Sequence, residues 1–189
     1  MRKILLIAFL FCLSPAADAV ELGGVRVKDT VHLGNSNLVL NGAGVRTKFV
    51  FDLYVAALYL NAKKSSATAV LADAGEKRIA LHLLDDISAE RLLYAFNNAI
   101  EDNYTSEELQ ALSKPMHEFE VIFHQMGPLN KGDVILFDYL RATGTRISVN
   151  EGLRGTIPGS AFNNALLKIW LGEHPVQEDL KLKLLGINR

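Results

Sequence analysis

Alternating apolar and polar positions mark several strands along the chain, and a longer period marks the helices between them. Val20 to Val27 holds Gly23-Gly24 between two short apolar runs and predicts a hairpin. Leu38 to Leu40 predicts a short strand that enters a turn at Asn41-Gly42-Ala43-Gly44. Phe49 to Leu60 is the strongest strand candidate, rich in Phe, Val, Tyr and Leu. Its side chains divide between two faces. Phe49, Phe51, Leu53, Val55, Ala57 and Tyr59 form one row, and Val50, Asp52, Tyr54, Ala56, Leu58 and Leu60 form the other. Arg78 to Leu84 predicts a further strand. Val134 to Arg141 and Thr145 to Asn150 predict a hairpin around Ala142-Thr143-Gly144.

Helices are expected at Ser66 to Ala74 and from Ser88 to about Asp102. Thr105 and Glu108 fit a capping box that opens a helix reaching about Gln125, with Pro115 set to kink or divide it. Pro158 or Gly159 begins another, through Leu171 and ended by Gly172, and Gln177 to Leu185 is a last short one. Strands come first, helices sit in the middle and at the end, and hairpins dominate. The expected class is therefore α+β, with helices packed on one face of an antiparallel sheet. No repeat or linker interrupts 20–189, which is expected to form a single domain.

Residues 1–19 follow a different pattern. Arg2 and Lys3 precede an unbroken apolar run from Ile4 to Leu13, Ser14-Pro15 breaks it, and Ala17-Asp18-Ala19 offers small residues at both positions of a cleavage site. That arrangement is a signal peptide, and the run is shorter than the roughly 20 residues that span a bilayer. The expected location is periplasmic or secreted, with no membrane span in the mature chain. Cys12, the only cysteine, lies in the run and is preceded by Phe11, which does not fit a lipidation signal. Cleavage after Ala19 leaves a chain without disulfides or thiolate chemistry.

Composition narrows the function. Removing residues 1–19 takes away Arg2, Lys3 and Asp18 and leaves 18 basic against 20 acidic residues. That balance offers no electrostatic case for nucleic acid. No nucleotide-binding or hydrolase motif is present, and no cofactor is implied. His117 and His124 stand two helical turns apart, about 10 Å, too far to share a metal. Asn163 and Asn164 are expected on a helix surface, and Trp170 as an anchor between helix and sheet.

Leu40-Asn41-Gly42-Ala43-Gly44-Val45-Arg46, followed by a strand ending Val55-Ala56-Ala57-Leu58-Tyr59-Leu60, resembles the start of a chalcone isomerase domain. The downstream order of elements is similar too, over about residues 20–186. The resemblance implies an open-faced β-sandwich, a large antiparallel sheet under a helical layer, with a ligand cleft between them. Enzymes of that family close a flavonoid ring, and relatives without the activity bind fatty acids.

Most of the family's catalytic set is missing. Arg46 occupies the position of the arginine that stabilises anionic oxygen. The strand threonine is replaced by Tyr54, which keeps an O–H donor. A tyrosine and an asparagine seven residues apart on one helix fall on Leu92 and Ala99, which with Phe96 form an apolar stripe. No serine or threonine follows Ser160 to supply the late hydroxyl. Preorganised donors carry such catalysis, so their loss argues against flavonoid cyclisation, and no catalytic residue is assigned.

The leading expectation is non-catalytic binding of a small amphipathic anion such as a fatty acid. Arg46 would hold the acid group, Tyr54 would assist, and Leu92, Phe96 and Ala99 would wall the tail. The alternative is an isomerase or lyase acting on another enone or anionic substrate through Arg46. A third reading is a scaffold that binds a partner protein. A cleft of several hundred cubic ångströms favours the first two, and a cleft filled by side chains favours the third. Intact-mass analysis of the exported protein is expected to give a chain beginning at Val20, and full-length protein retained in the cytoplasm would refute export.

Overall fold

The computed structural model describes residues 19–187, so the predicted signal peptide lies almost wholly outside the described residues. Two strands, β1 (Ala19–Leu22) and β2 (Val25–Lys28), form a separate hairpin around Gly23-Gly24. The main sheet has seven antiparallel strands, each neighbouring the next in sequence. They are β3 (Thr30–Leu33), β4 (Ser36–Lys48), β5 (Phe51–Leu60), β6 (Lys77–Leu83), β7 (Val134–Leu140), β8 (Gly144–Val149) and β9 (Gly152–Ile157). The helices are α1 (Ala67–Leu71), α2 (Ala89–Glu101), α3 (Ser106–Ala111), α4 (Ser113–His124), α5 (Ala161–Leu171) and α6 (Glu178–Leu184). The mixed α+β architecture expected from the sequence is the one found.

The two rows of β5 part as their alternation predicts. Tyr54, Ala56, Leu58 and Leu60 enter the large core beneath α2, α4, α5 and α6. Val55, Ala57 and Tyr59 enter a smaller core with Leu33, Leu38, Ala80 and Val27 of the β1–β2 hairpin. Burial on both sides explains why this strand is almost continuously apolar. Beyond the hairpin, Asp138 is buried between two cations. Arg78 donates to it through Nε at 2.5 Å and Nη2 at 2.8 Å, and Arg146 Nη2 approaches at 3.1 Å. The three residues occupy matching register positions on β6, β7 and β8.

Helix boundaries follow their caps. Ser66, Ser88 and Thr105 each accept a backbone N–H at the start of α1, α2 and α3, and Thr105 with Glu108 completes the capping box. The predicted helix from Thr105 to Gln125 is divided at Leu112, which puts Pro115 in the first turn of α4, where its missing N–H leaves no helical bond unmade.

Four expectations are corrected. Asn41-Gly42-Ala43-Gly44 is not a turn, because β4 runs straight through it with a bulge between Leu40 and Gly42. The glycines make room for a helix. A Cβ on Gly42 would lie 2.0 Å from the Lys183 carbonyl oxygen, and one on Gly44 would lie 2.8 Å from a Leu180 methyl. Asn41, at the bulge, is buried and donates to the carbonyls of Leu184 at 2.7 Å and Lys64 at 2.9 Å. Secondly, β5 begins at Phe51, and Phe49-Val50 form the turn of the β4–β5 hairpin. Thirdly, β3 and β9 were not anticipated, since Gly152–Ile157 is polar and glycine-containing and pairs only because β8 supplies a register. Finally, Asn163 is buried in α5 rather than on its surface.

Gly42→Ala is expected to destabilise the protein by about 2–3 kcal/mol, because the obstructing atom is backbone and α6 must shift. Gly127→Ala, whose Cβ meets nothing within 4 Å, is the control, and urea unfolding of both variants measures the difference.

Candidate functional site

Arg46 lies near the end of β4, the strand that runs through the segment expected to be a turn. Its cross-strand partner on β5 is Tyr54, and directly opposed residues share a sheet face at close range. Both side chains therefore point toward the helical layer, on the face where Gly42 and Gly44 admit α6. That approach brings in Gln177, the residue that caps α6. Arg46 Nη1 donates to Gln177 Oε1 at 3.0 Å and to the Thr47 carbonyl at 2.6 Å. Gln177 is fixed in turn by Thr47 N–H, which donates to its Oε1 at 2.9 Å, and by its own Nε2, which donates to the Val45 carbonyl at 3.3 Å. The strand bulge between Arg46 and Thr47 turns Asp52 away, and Asp52 accepts from Thr47 Oγ1 at 2.7 Å instead.

Arg46 is half-buried and forms no ion pair among the described residues. Its hydrogen bonds to Gln177 and Thr47 use one nitrogen of a guanidinium that presents five N–H donors in a planar fork. The fork borders Tyr54, whose hydroxyl accepts from Trp170 Nε1 at 3.1 Å. Among the described residues no atom accepts the Tyr54 hydroxyl hydrogen. Burial pushes the Tyr54 pKa up to about 12, against the smaller opposing pulls of the Trp170 hydrogen bond and of Arg46, through both its charge and its hydrogen bonding. The phenol is thus a neutral donor at any physiological pH, and a poor base. A positive fork beside a neutral O–H is a pairing suited to a carboxylate.

The remaining expected site residues lie deeper. Leu92, Phe96 and Ala99 are buried on the inner face of α2. Phe96 meets Trp170 edge-on at 5.7 Å between ring centroids and Phe137 at 6.0 Å, and Phe119 and Phe123 complete the cluster. The expected cleft between sheet and helices is therefore occupied by packed rings here, because the stripe on α2 is helix core at ordinary interior density. Two surface depressions lie elsewhere. One of about 460 Å³ is lined by residues 86–90 and 126–130, and another of about 530 Å³ borders Leu22, Asp29, Leu40 and Lys63. Neither includes Arg46 or Tyr54.

The structure thus joins Arg46 directly to Tyr54 and, through Trp170, to Phe96. It adds Gln177, which sequence reasoning missed because nothing local signals a contact across 131 positions. No cluster of metal-ligating residues occurs among the described residues, and none of their helices is long and apolar enough to cross a membrane.

This seven-stranded meander under a helical layer, with an arginine on its inner face, defines a known class of β-sandwich. The chain belongs to the chalcone isomerase-like family, which matches residues 19–186. Among solved structures it is similar to a fatty-acid binding protein of Arabidopsis thaliana, with a TM-score of 0.68 and 13% sequence identity over 89% of this chain and 96% of that one. At that identity the likeness is one of fold. A comparison with curated proteins returned no match.

Tyr54 and Tyr59 are both raised to about 12, in each case chiefly by burial. A tyrosine whose folded value exceeds its unfolded value near 10 contributes its full stability below pH 10 and loses it as pH rises toward 12. Stability is expected to be level up to about pH 10 and then to fall, with roughly 2 kcal/mol of the loss by pH 12 due to Tyr54. Denaturant unfolding across that range, compared with Tyr54→Phe, measures it. An identical alkaline fall in the variant would assign the loss elsewhere.

Proposed function

We propose that this protein is an exported, non-catalytic carrier of a fatty acid or similar amphipathic carboxylate. The observation that carries the reading is the pairing of Arg46 with Tyr54. A half-buried guanidinium stands beside the buried Tyr54 hydroxyl with one nitrogen engaged by Gln177 and the Thr47 carbonyl, and among the described residues no acidic side chain pairs with it. A carboxylate seated there would accept from both. Membership of a family with a fatty-acid binding relative of the same fold supports the reading, and the basic, apolar and small-residue blocks of residues 1–19 support export.

The filled interior is the argument for a scaffold, and the Arg46–Tyr54 pair is the argument against it. Gln177 holds the arginine from α6, so the donors are presented by two elements rather than by a loose side chain. Seating an acyl chain requires the rings of Trp170 and Phe96 to part. Uptake is then slower than diffusion, and Trp170, the only tryptophan, reports it. The neutral Tyr54 phenol suits holding an anion better than removing a proton, so nothing in the site favours an isomerase.

Titration with a C12 to C18 fatty acid is expected to change Trp170 fluorescence, whereas the matching fatty alcohol is expected to bind weakly. Arg46→Ala should reduce affinity for the acid on the order of 10–100-fold, the value of a charged hydrogen-bonded contact. Its stability should fall by about 1–2 kcal/mol, since the bonds to Gln177 and the Thr47 carbonyl are lost, and the variant should remain folded. Equal affinity in the parent and in Arg46→Ala would reject the assignment.

A further inference from the structure

The turn of the β4–β5 hairpin carries three consecutive apolar side chains into solvent. Phe49 is 88% exposed, Val50 84% and Phe51 61%. Phe49 also has φ of 58°, a left-handed conformation unusual for a bulky residue. Glycine or asparagine at that turn position would relieve the strain and remove the exposed ring. The chain therefore accepts both backbone strain and apolar exposure at one place, where a polar turn would fold more easily.

We propose that this hairpin tip is a membrane-contact element that inserts into the interfacial region of a lipid bilayer. Area argues against a stable protein partner at the tip. Its exposed apolar surface is on the order of 400 Å², about half of the ~800 Å² per side that a specific protein interface needs. A convex tip exposed on all sides fits a fluid medium better than a rigid surface.

Charge defines the kind of bilayer. Lys48 and Asp52 flank the tip with opposite signs, and Asp52 is bonded to Thr47. Strand β6 runs beside β5, with Leu84 N–H donating to the Leu53 carbonyl, so Asp85 and Asp86 follow close to the hairpin. Among these described residues Lys48 stands against three aspartates, so attraction to anionic lipid is weak and insertion is driven by the apolar side chains. A zwitterionic surface suffices.

Position links the tip to the carboxylate seat, a link that rests on the proposed function. Arg46 is three residues from Phe49 along β4, about 10 Å at strand spacing. An acid leaving the bilayer head first would meet Arg46 next to the tip.

The test uses the folded chain beginning at Val20 and sucrose-loaded phosphatidylcholine vesicles, with the bound fraction read by sedimentation. The parent is expected to sediment with the vesicles, with little change on adding phosphatidylserine or on raising salt. The double variant Phe49→Gly/Phe51→Thr should lose about tenfold or more in partitioning, because two large apolar side chains are removed. Glycine suits the positive φ and threonine suits a strand, so this variant should fold at least as well as the parent, and circular dichroism checks that. Tyr94→Ser, which removes an exposed aromatic from α2, should sediment like the parent. Arg46→Ala should also keep vesicle binding, which separates failure of the carrier reading from failure of this one. The proposal is overturned if the parent stays in the supernatant, if the tip variant sediments equally, if binding requires anionic lipid, or if the tip instead mediates self-association in sedimentation velocity.

Discussion

The approach of α6 to the backbone of β4 governs the geometry of the candidate site. Gly42 and Gly44 leave the strand bare where Lys183, Leu184 and Leu180 come down on it, and a Cβ at Gly42 would force α6 to shift. Asn41 secures the contact by donating to the carbonyls of Leu184 and Lys64 from the bulge. With α6 held there, its first turn lies against the end of the strand, and Gln177 reaches Arg46 and Thr47. A helix one side-chain layer further out could not make that contact. The glycines thus act on the arginine at a distance, by deciding which helix residue can touch it.

On the inner side the site passes into an aromatic core without a gap. The Tyr54 hydroxyl meets the Trp170 indole N–H, Trp170 meets Phe96 edge-on, and Phe96 meets Phe119, Phe123 and Phe137. A buried Trp needs an acceptor for its N–H, and here the Tyr54 oxygen supplies it while the phenol keeps its own hydrogen to donate. The arrangement joins a polar seat at the end of the sheet to an apolar interior, which is the polarity of an amphipathic acid. On the outer side, the same hairpin that carries Arg46 and Tyr54 ends in the exposed Phe49-Val50-Phe51 turn. Arg46, Tyr54 and the exposed turn therefore belong to one hydrogen-bonded hairpin.

Much of the fold was legible in the chain because its signals are local. Serine and threonine caps, the Thr105–Glu108 box, Pro115 and the alternation along β5 each act within a few residues. The family resemblance rested on Leu40 to Arg46 and on the order of elements, and both lie in the sequence. The glycine cluster was read as a turn for a physical reason: glycine permits bending and close approach alike, and only the neighbour reveals which is used. The same applies to Gly152–Ile157, whose weak pattern becomes a strand because β8 offers it hydrogen-bonding partners.

The sequence by itself determined which residues are available to the site. It supplied one arginine and one tyrosine eight positions apart, an apolar stripe on α2, and no Tyr–Asn pair or late hydroxyl for ring closure. Tertiary structure alone decided what those residues meet. It turned Asp52 toward Thr47 through a strand bulge, brought Gln177 across from α6, gave the Tyr54 oxygen to Trp170, and filled the space beside Phe96 with rings. The reason is separation: Arg46 and Gln177 stand 131 positions apart and Tyr54 and Trp170 stand 116 apart. Local propensity carries no information over such distances, and only the packing of the helical layer on the sheet brings them within hydrogen-bonding range.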